Sequence, residues 1–219
     1  CALPIYDIEI SEGSMSARVI MVASGKGGTG KSTVSVLTGA ALAARGRRVL
    51  LVELDSALRS VDYIAGVYGK TVYDVEDVLC GRCDAGKALV ESPLYPGLFV
   101  ISAPYSGGQV AAGALQSFLQ QAGGVFDDIV LDTAAGMGAP FEAARAAASL
   151  ALICITPDPV AQRDGRIVCD ALLEGGCEQV RLVINKVPRT LAGQGIRDLD
   201  ECIDTVGAQL LGVVPYSEA

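Results

Sequence analysis

Apolar residues along this chain fall into short continuous runs separated by polar, glycine-containing stretches. The first run, Val19-Ile20-Met21-Val22-Ala23, stops at Ser24-Gly25, and its length and branched side chains predict a buried strand. A helix is expected from about Gly30 to Arg45, with Gly46 as its C-terminal stop. Val49–Leu54 forms the second predicted strand, and further strands are expected at Leu98–Ser102, Ile129–Asp132, Leu150–Thr156, Val180–Asn185 and Leu210–Val214. Helical stretches lie between them, at about Val110–Gln121, Ala139–Ala148, Val160–Leu173 and Ile196–Val206. Uninterrupted apolar strands need cover on both faces, so the alternation predicts a mainly parallel twisted sheet with helices on both sides. Ligands bind such sheets beyond the C-terminal strand ends, and the polar clusters of this chain fall at those ends. Residues 1–17 stand apart: Ile5, Tyr6, Ile8 and Ile10 alternate weakly with Asp7 and Glu9. They are expected to be a tail or edge segment without an assigned role, and the folded domain is expected over 18–219.

Composition narrows the chemistry. The chain has 219 residues, of which 51% are hydrophobic, enough for one α/β domain with a sizeable core. It contains no His, which excludes a Ser-His-Asp triad, a His-ligated zinc and a histidine base. The net charge is −8, and no basic run exceeds Arg47-Arg48. Nucleic acid is therefore disfavoured as a partner, because phosphate contacts need a basic face. Seven cysteines, an odd number, fit a reduced cytoplasmic protein better than a disulfide framework. No apolar run reaches membrane-spanning length, and no signal peptide is expected. The first residue is Cys rather than Met, as expected of a processed or truncated start.

The segment Gly25-x-x-x-x-Gly30-Lys31-Ser32 follows one predicted strand and opens a helix, the context that a P-loop requires. Glycines let backbone N–H groups turn inward around phosphates, and the helix N-terminus adds partial positive charge. Lys31 is expected to reach the terminal phosphates and the Ser32 hydroxyl to ligate Mg²⁺. The fold class expected is thus a single-domain α/β P-loop NTPase. Asp132 ends a strand, where its carboxylate can hold Mg²⁺, and in the Thr133-Ala134-Ala135-Gly136 stretch that follows, Gly136 can offer an N–H to the γ-phosphate. Glu53-Leu54-Asp55 ends the second strand. Either carboxylate can position water or contact magnesium, and Asp55 is the preferred candidate. Asn185-Lys186-Val187-Pro188 has Pro where Ras-type GTPases carry the guanine-reading Asp, so ATP is expected, with Asn185 beside the adenine.

The stretch Lys26-Gly27-Gly28-Thr29-Gly30-Lys31-Ser32-Thr33 resembles the deviant Walker A motif of the MinD/ParA superfamily, whose mark is the extra lysine, here Lys26. The resemblance runs from about Arg18 to Tyr216. Glu53-Leu54-Asp55-Ser56-Ala57-Leu58-Arg59-Ser60-Val61-Asp62, Gly81-Arg82-Cys83, Thr156-Pro157-Asp158 with Arg163-Asp164, and Leu211-Gly212-Val213-Val214-Pro215 are similar to MinD in particular. The resemblance implies ATP and Mg²⁺ as cofactors, with Gly25 through Thr33, Gly136, Asn185 and Pro215 around the nucleotide and Ser32, Asp55 and Asp132 at the metal. It implies Lys26, Lys31 and Asp55 as catalytic residues, and an ATP-state homodimer in which Lys26 reaches the partner's phosphates. A slow ATP hydrolase follows, acting as a switch in placing the cell-division site or in related positioning, with a protein regulator or effector. Departures are Glu53 for Asp, Ser56 and Ser60 for Gly and Asn, and Ala134-Ala135 for a Pro-containing pair. MinD proteins end in a membrane-binding amphipathic helix, and none is visible before Ala219. The membrane expectation is therefore divided between a truncated chain, peripheral to the inner face of the cell membrane, and a relative that does not cycle on membranes.

Two other roles compete. Cys80-Gly81-Arg82-Cys83 would carry a metallocentre-maturation ATPase if the pair shared a metal across a dimer. A non-catalytic nucleotide-binding module of a larger assembly is the other alternative.

Overall fold

The computed structural model describes residues 17–56, 59–104, 111–191 and 197–217. The expectations for residues 1–16, and for the Val110 and Ile196 helix starts, lie outside them. In chain order the elements are β1 (Arg18–Ala23), α1 (Lys31–Ala43), β2 (Val49–Glu53), α2 (Ser60–Ile64), α3 (Val75–Leu79), α4 (Ala85–Ala88), β3 (Val90–Glu91) and β4 (Leu98–Ile101). There follow α5 (Ala112–Ala122), β5 (Asp128–Asp132), α6 (Ala139–Arg145), β6 (Leu150–Ile155), α7 (Pro159–Glu174), β7 (Val180–Val187), α8 (Leu199–Val206) and β8 (Gln209–Pro215).

The strands form one sheet in the order β3-β4-β2-β5-β1-β6-β7-β8. All described neighbours pair in parallel except β3 with β4. The alternation of side chains along each strand divides the core in two. Met21, Leu50, Ile129 and Ile153 face one layer, and Ile20, Val22, Leu51 and Val130 face the other. Both layers are covered by helices, which is why these strands read as unbroken apolar runs. The chain winds to one side of β1 through β2 and β5, then crosses to the other through β6. The crevice of a doubly wound sheet opens at such a reversal, and β1 leads straight into it.

Each of the seven predicted strands is present. The departures sit between β2 and β4, where α2, α3, α4 and β3 were not anticipated. None exceeds five residues, too short for a periodicity to show. The start of α3 did carry a local signal. Asp74 and Asp77 cap each other's backbone N–H, each at 3.1 Å. Helix α6 stops at Arg145 rather than Ala148, and β7 runs two residues past Asn185 to Val187. Among the described residues no helix is long and apolar enough to cross a membrane.

Candidate nucleotide-binding site

After Ala23 the chain leaves the sheet and loops through Ser24–Gly30 into α1. Gly28 and Gly30 take left-handed backbones, φ 80° and 86°, which glycine adopts without penalty. Gly30 has a second reason to be glycine: a Cβ there would sit 2.2 Å from Asn185 Nδ2. Helices α7 and α8 are capped by Asp158 and Asp198, but α1 begins at Gly30 with no side-chain cap. Its first-turn N–H groups are thus left for an anion, on the positive end of the helix dipole. They open into a cleft of about 480 Å³ lined by Ser24, Lys26 through Thr33, Asp55, Ser60, Ile64, Ala134 and Ala135.

Charge in this cleft centres on Lys31, only 7% exposed. Its Nζ lies 3.8 Å from both Asp55 Oδ2 and Asp132 Oδ1. Residues 32 and 35 share one face of α1, and the Ser32 and Ser35 hydroxyls each donate to Asp132 at 2.7 Å. Burial pushes the Asp132 carboxyl up, against the pull of Lys31 and the two hydroxyls. Lys26 stands at the mouth, half exposed, with Nζ 3.3 Å from Asp158 Oδ1. Asp158 also accepts from Thr156 and caps α7, and it is held below the usual carboxylate range despite its partial burial. Oxygen donors at Ser32, Asp55 and Asp132 around one lysine suit a magnesium–phosphate group, since Mg²⁺ keeps several waters and needs few protein ligands. Among the described residues no cluster of three or more His, Cys, Asp or Glu forms a metal cage.

Residues 20–219 match the model of the CobQ/CobB/MinD/ParA nucleotide-binding domain. The chain belongs to this family. It is 34% identical over 201 residues to the septum site-determining protein MinD of Synechocystis sp., covering 90% of this chain and 76% of that protein. The MinD subunit in the MinC:MinD cell division protein complex of Aquifex aeolicus superposes with a TM-score of 0.83 at 30% identity, over 92% of this chain and 82% of that one. MinD of Pyrococcus horikoshii complexed with Mg-ADP shares the fold, with a TM-score of 0.80 at 23% identity, over 92% of this chain and 82% of that one. The expected MinD/ParA membership and the α/β P-loop fold both hold.

In this MinD/ParA-type site the remaining candidates are placed unequally. Gly25 packs against the α7 backbone, where a Cβ would fall 2.5 Å from Asp164 O. The Gly136 N–H bonds Ser24 O at 2.9 Å, so it supports the loop instead of pointing at the cleft. Asn185 lies two residues before the end of β7, and Pro215 ends the adjacent strand β8. The Asn185 amide donates to Thr29 O at 2.8 Å. Glu53 and Asp55, both candidates by sequence with Asp55 preferred, separate. Asp55 lines the cleft, whereas Glu53 is fully buried and accepts from Val61 N and Ala103 N, at 3.1 and 3.3 Å. Sequence reasoning did not anticipate Ser35, Ser60 and Ile64, or the grip of Lys186 on the loop. Only the three-residue spacing of Ser32 and Ser35 could have signalled one of them. Cys80 is exposed and Cys83 half-buried just after α3.

Proposed function

We propose that this chain is a MinD-like ATP switch that binds ATP with Mg²⁺, dimerises in that state and hydrolyses slowly. The observation that carries it is the pairing of two lysines on one P-loop: Lys31 inside the cleft against Asp55 and Asp132, and Lys26 exposed at its mouth. An enclosed lysine suits the protein's own nucleotide, and an exposed one suits a partner's. The Gly25–Thr33 backbone would cradle the phosphates, and Lys31 would hold their terminal oxygens. Ser32 and Asp132 would hold magnesium, with Asp55 orienting water beside it. Asn185 and Pro215 would flank the base. Bound MgATP would supply the phosphoryl group and the charge that draws two subunits together. Lys26 would exchange Asp158 for the partner's phosphates, giving the two states different contacts. The relative in Aquifex aeolicus is seen with MinC, so a regulator or effector is expected on the dimer, at the division site or a related position. The protein would act in the cytoplasm or at the inner face of the membrane.

The test is Lys31→Ala measured by calorimetric titration with MgATP. Removing a charge-assisted phosphate contact should weaken binding about 100-fold or more. Unchanged affinity would overturn the assignment of this cleft to nucleotide.

A further inference from the structure

The P-loop is held from outside by the end of β7, and the exposed residue that does so has no assigned role. Among the described residues only Arg59 and Lys186 take a left-handed backbone without being glycine, and Lys186 does so at φ 54°. Such a backbone is costly for a side chain with a Cβ and is kept where the surroundings need it. The β7–β8 register also shifts between Ile184 and Val187, across Lys186 and its neighbour Asn185. A shift of this kind re-aims side chains at the end of a strand. Here it turns both onto the loop. Asn185 Nδ2 donates to Thr29 O at 2.8 Å, Lys186 Nζ donates to Gly28 O at 2.8 Å, and Asn185 Oδ1 accepts the Lys186 N–H at 2.9 Å. The Lys186 stem passes Gly30, where a Cβ would lie 3.7 Å from Lys186 Cε.

We infer that Lys186 is a positioning residue that holds the Gly28 carbonyl outward and so keeps the loop's N–H groups turned into the cleft before nucleotide arrives. A loop whose N–H groups converge must send carbonyls the other way, and those carbonyls need donors of their own. Asn185 serves Thr29, and Lys186 serves Gly28. The inference rests on the nucleotide assignment of the cleft. It adds that affinity depends on an ammonium outside it. Because the contact is to the loop and not to a phosphate, ATP and ADP should depend on it equally. An exposed lysine contributes little to global stability, so its variants should fold.

Three proteins test this: wild type, Lys186→Met, which keeps the stem without the charge, and Lys186→Arg. Amide hydrogen exchange of the nucleotide-free proteins should show faster exchange in the 24–33 segment of Lys186→Met alone, with the melting temperature unchanged. Titration should show MgATP and MgADP both weakened about fivefold, roughly 1 kcal/mol, with kcat at saturation unchanged. Lys186→Arg should recover most of the affinity. Equal exchange and equal affinity in wild type and Lys186→Met would overturn the role of Lys186 while leaving the nucleotide site standing. A loss confined to ATP would also overturn it, by showing a direct γ-phosphate contact. No nucleotide binding by the wild type would remove both assignments.

Discussion

Two acids two positions apart at the end of β2 show how far neighbourhood alters a side chain. Asp55 lies in the cleft beside Lys31, while Glu53 is buried against backbone donors and faces Asp132 and Asp62. Burial pushes the Glu53 carboxyl up to about 7, with the two aspartates adding to the rise and the N–H groups of Val61 and Ala103 opposing it. The folded protein therefore holds a proton that the unfolded chain has released. The stabilisation is complete below the ordinary carboxylate pKa and is lost as pH rises through about 7. Glu53→Gln, measured without magnesium by urea denaturation, should flatten stability between about pH 4.5 and 7, a window worth about 3 kcal/mol. An unchanged slope would assign the pH dependence to another group. The sequence favoured Asp55 without excluding Glu53, because both acids stand at the strand end. Only the contacts of β2 with α2 and β4 separate them.

Helix α7 packs with little room to spare. It lies on the sheet and against α8, and Gly165 marks the contact. A Cβ there would come within 2.8 Å of Ile155 Cγ2 and 3.3 Å of Val206 Cγ2. Both neighbours are β-branched and stiff. Alanine gains about 1 kcal/mol of helix propensity over glycine, but overpacking costs about 1–3 kcal/mol. Gly165→Ala should therefore lower stability by about 1 kcal/mol in urea. Gly113→Ala in α5, where a Cβ meets nothing within 4 Å, should hold or raise it. Stabilisation by both substitutions would show that the α7 contact relaxes freely. The long elements α1, α5, α7 and the parallel strands were legible because their patterns repeat over many residues. The short elements between β2 and β4 were not, since each is ordered by its neighbours and not by a period of its own.

At the scale of the proposed dimer, Lys26 would decide between a nucleotide-binding monomer and a switch. Its ammonium is paired with Asp158, yet it remains half exposed at the cleft mouth. An ion pair this exposed is worth about 1 kcal/mol or less, so a partner's phosphates can displace it. Lys26→Ala should bind MgATP as a monomer with little change and fail to dimerise in sedimentation velocity. A normal ATP-dependent dimer would remove Lys26 from the interface. The acidic balance of the chain, −8 overall, would favour protein over nucleic acid as a partner of the proposed dimer.

The P-loop, the strands that frame it and the family could be read from residue order, because a strand, a glycine turn and a helix start are set by residues adjacent in sequence. Folding decided what joins that loop across long separations. Ser35 and Ser32 meet Asp132 97 and 100 positions on, and Lys186 meets Gly28 across 158. Asn185 turned out to hold the loop, at Thr29, and Glu53 turned out to be a buried support. These outcomes depend on which strands lie side by side. Strand order follows from burying both faces of one sheet at once, a condition on the packed protein that no short window of residues carries.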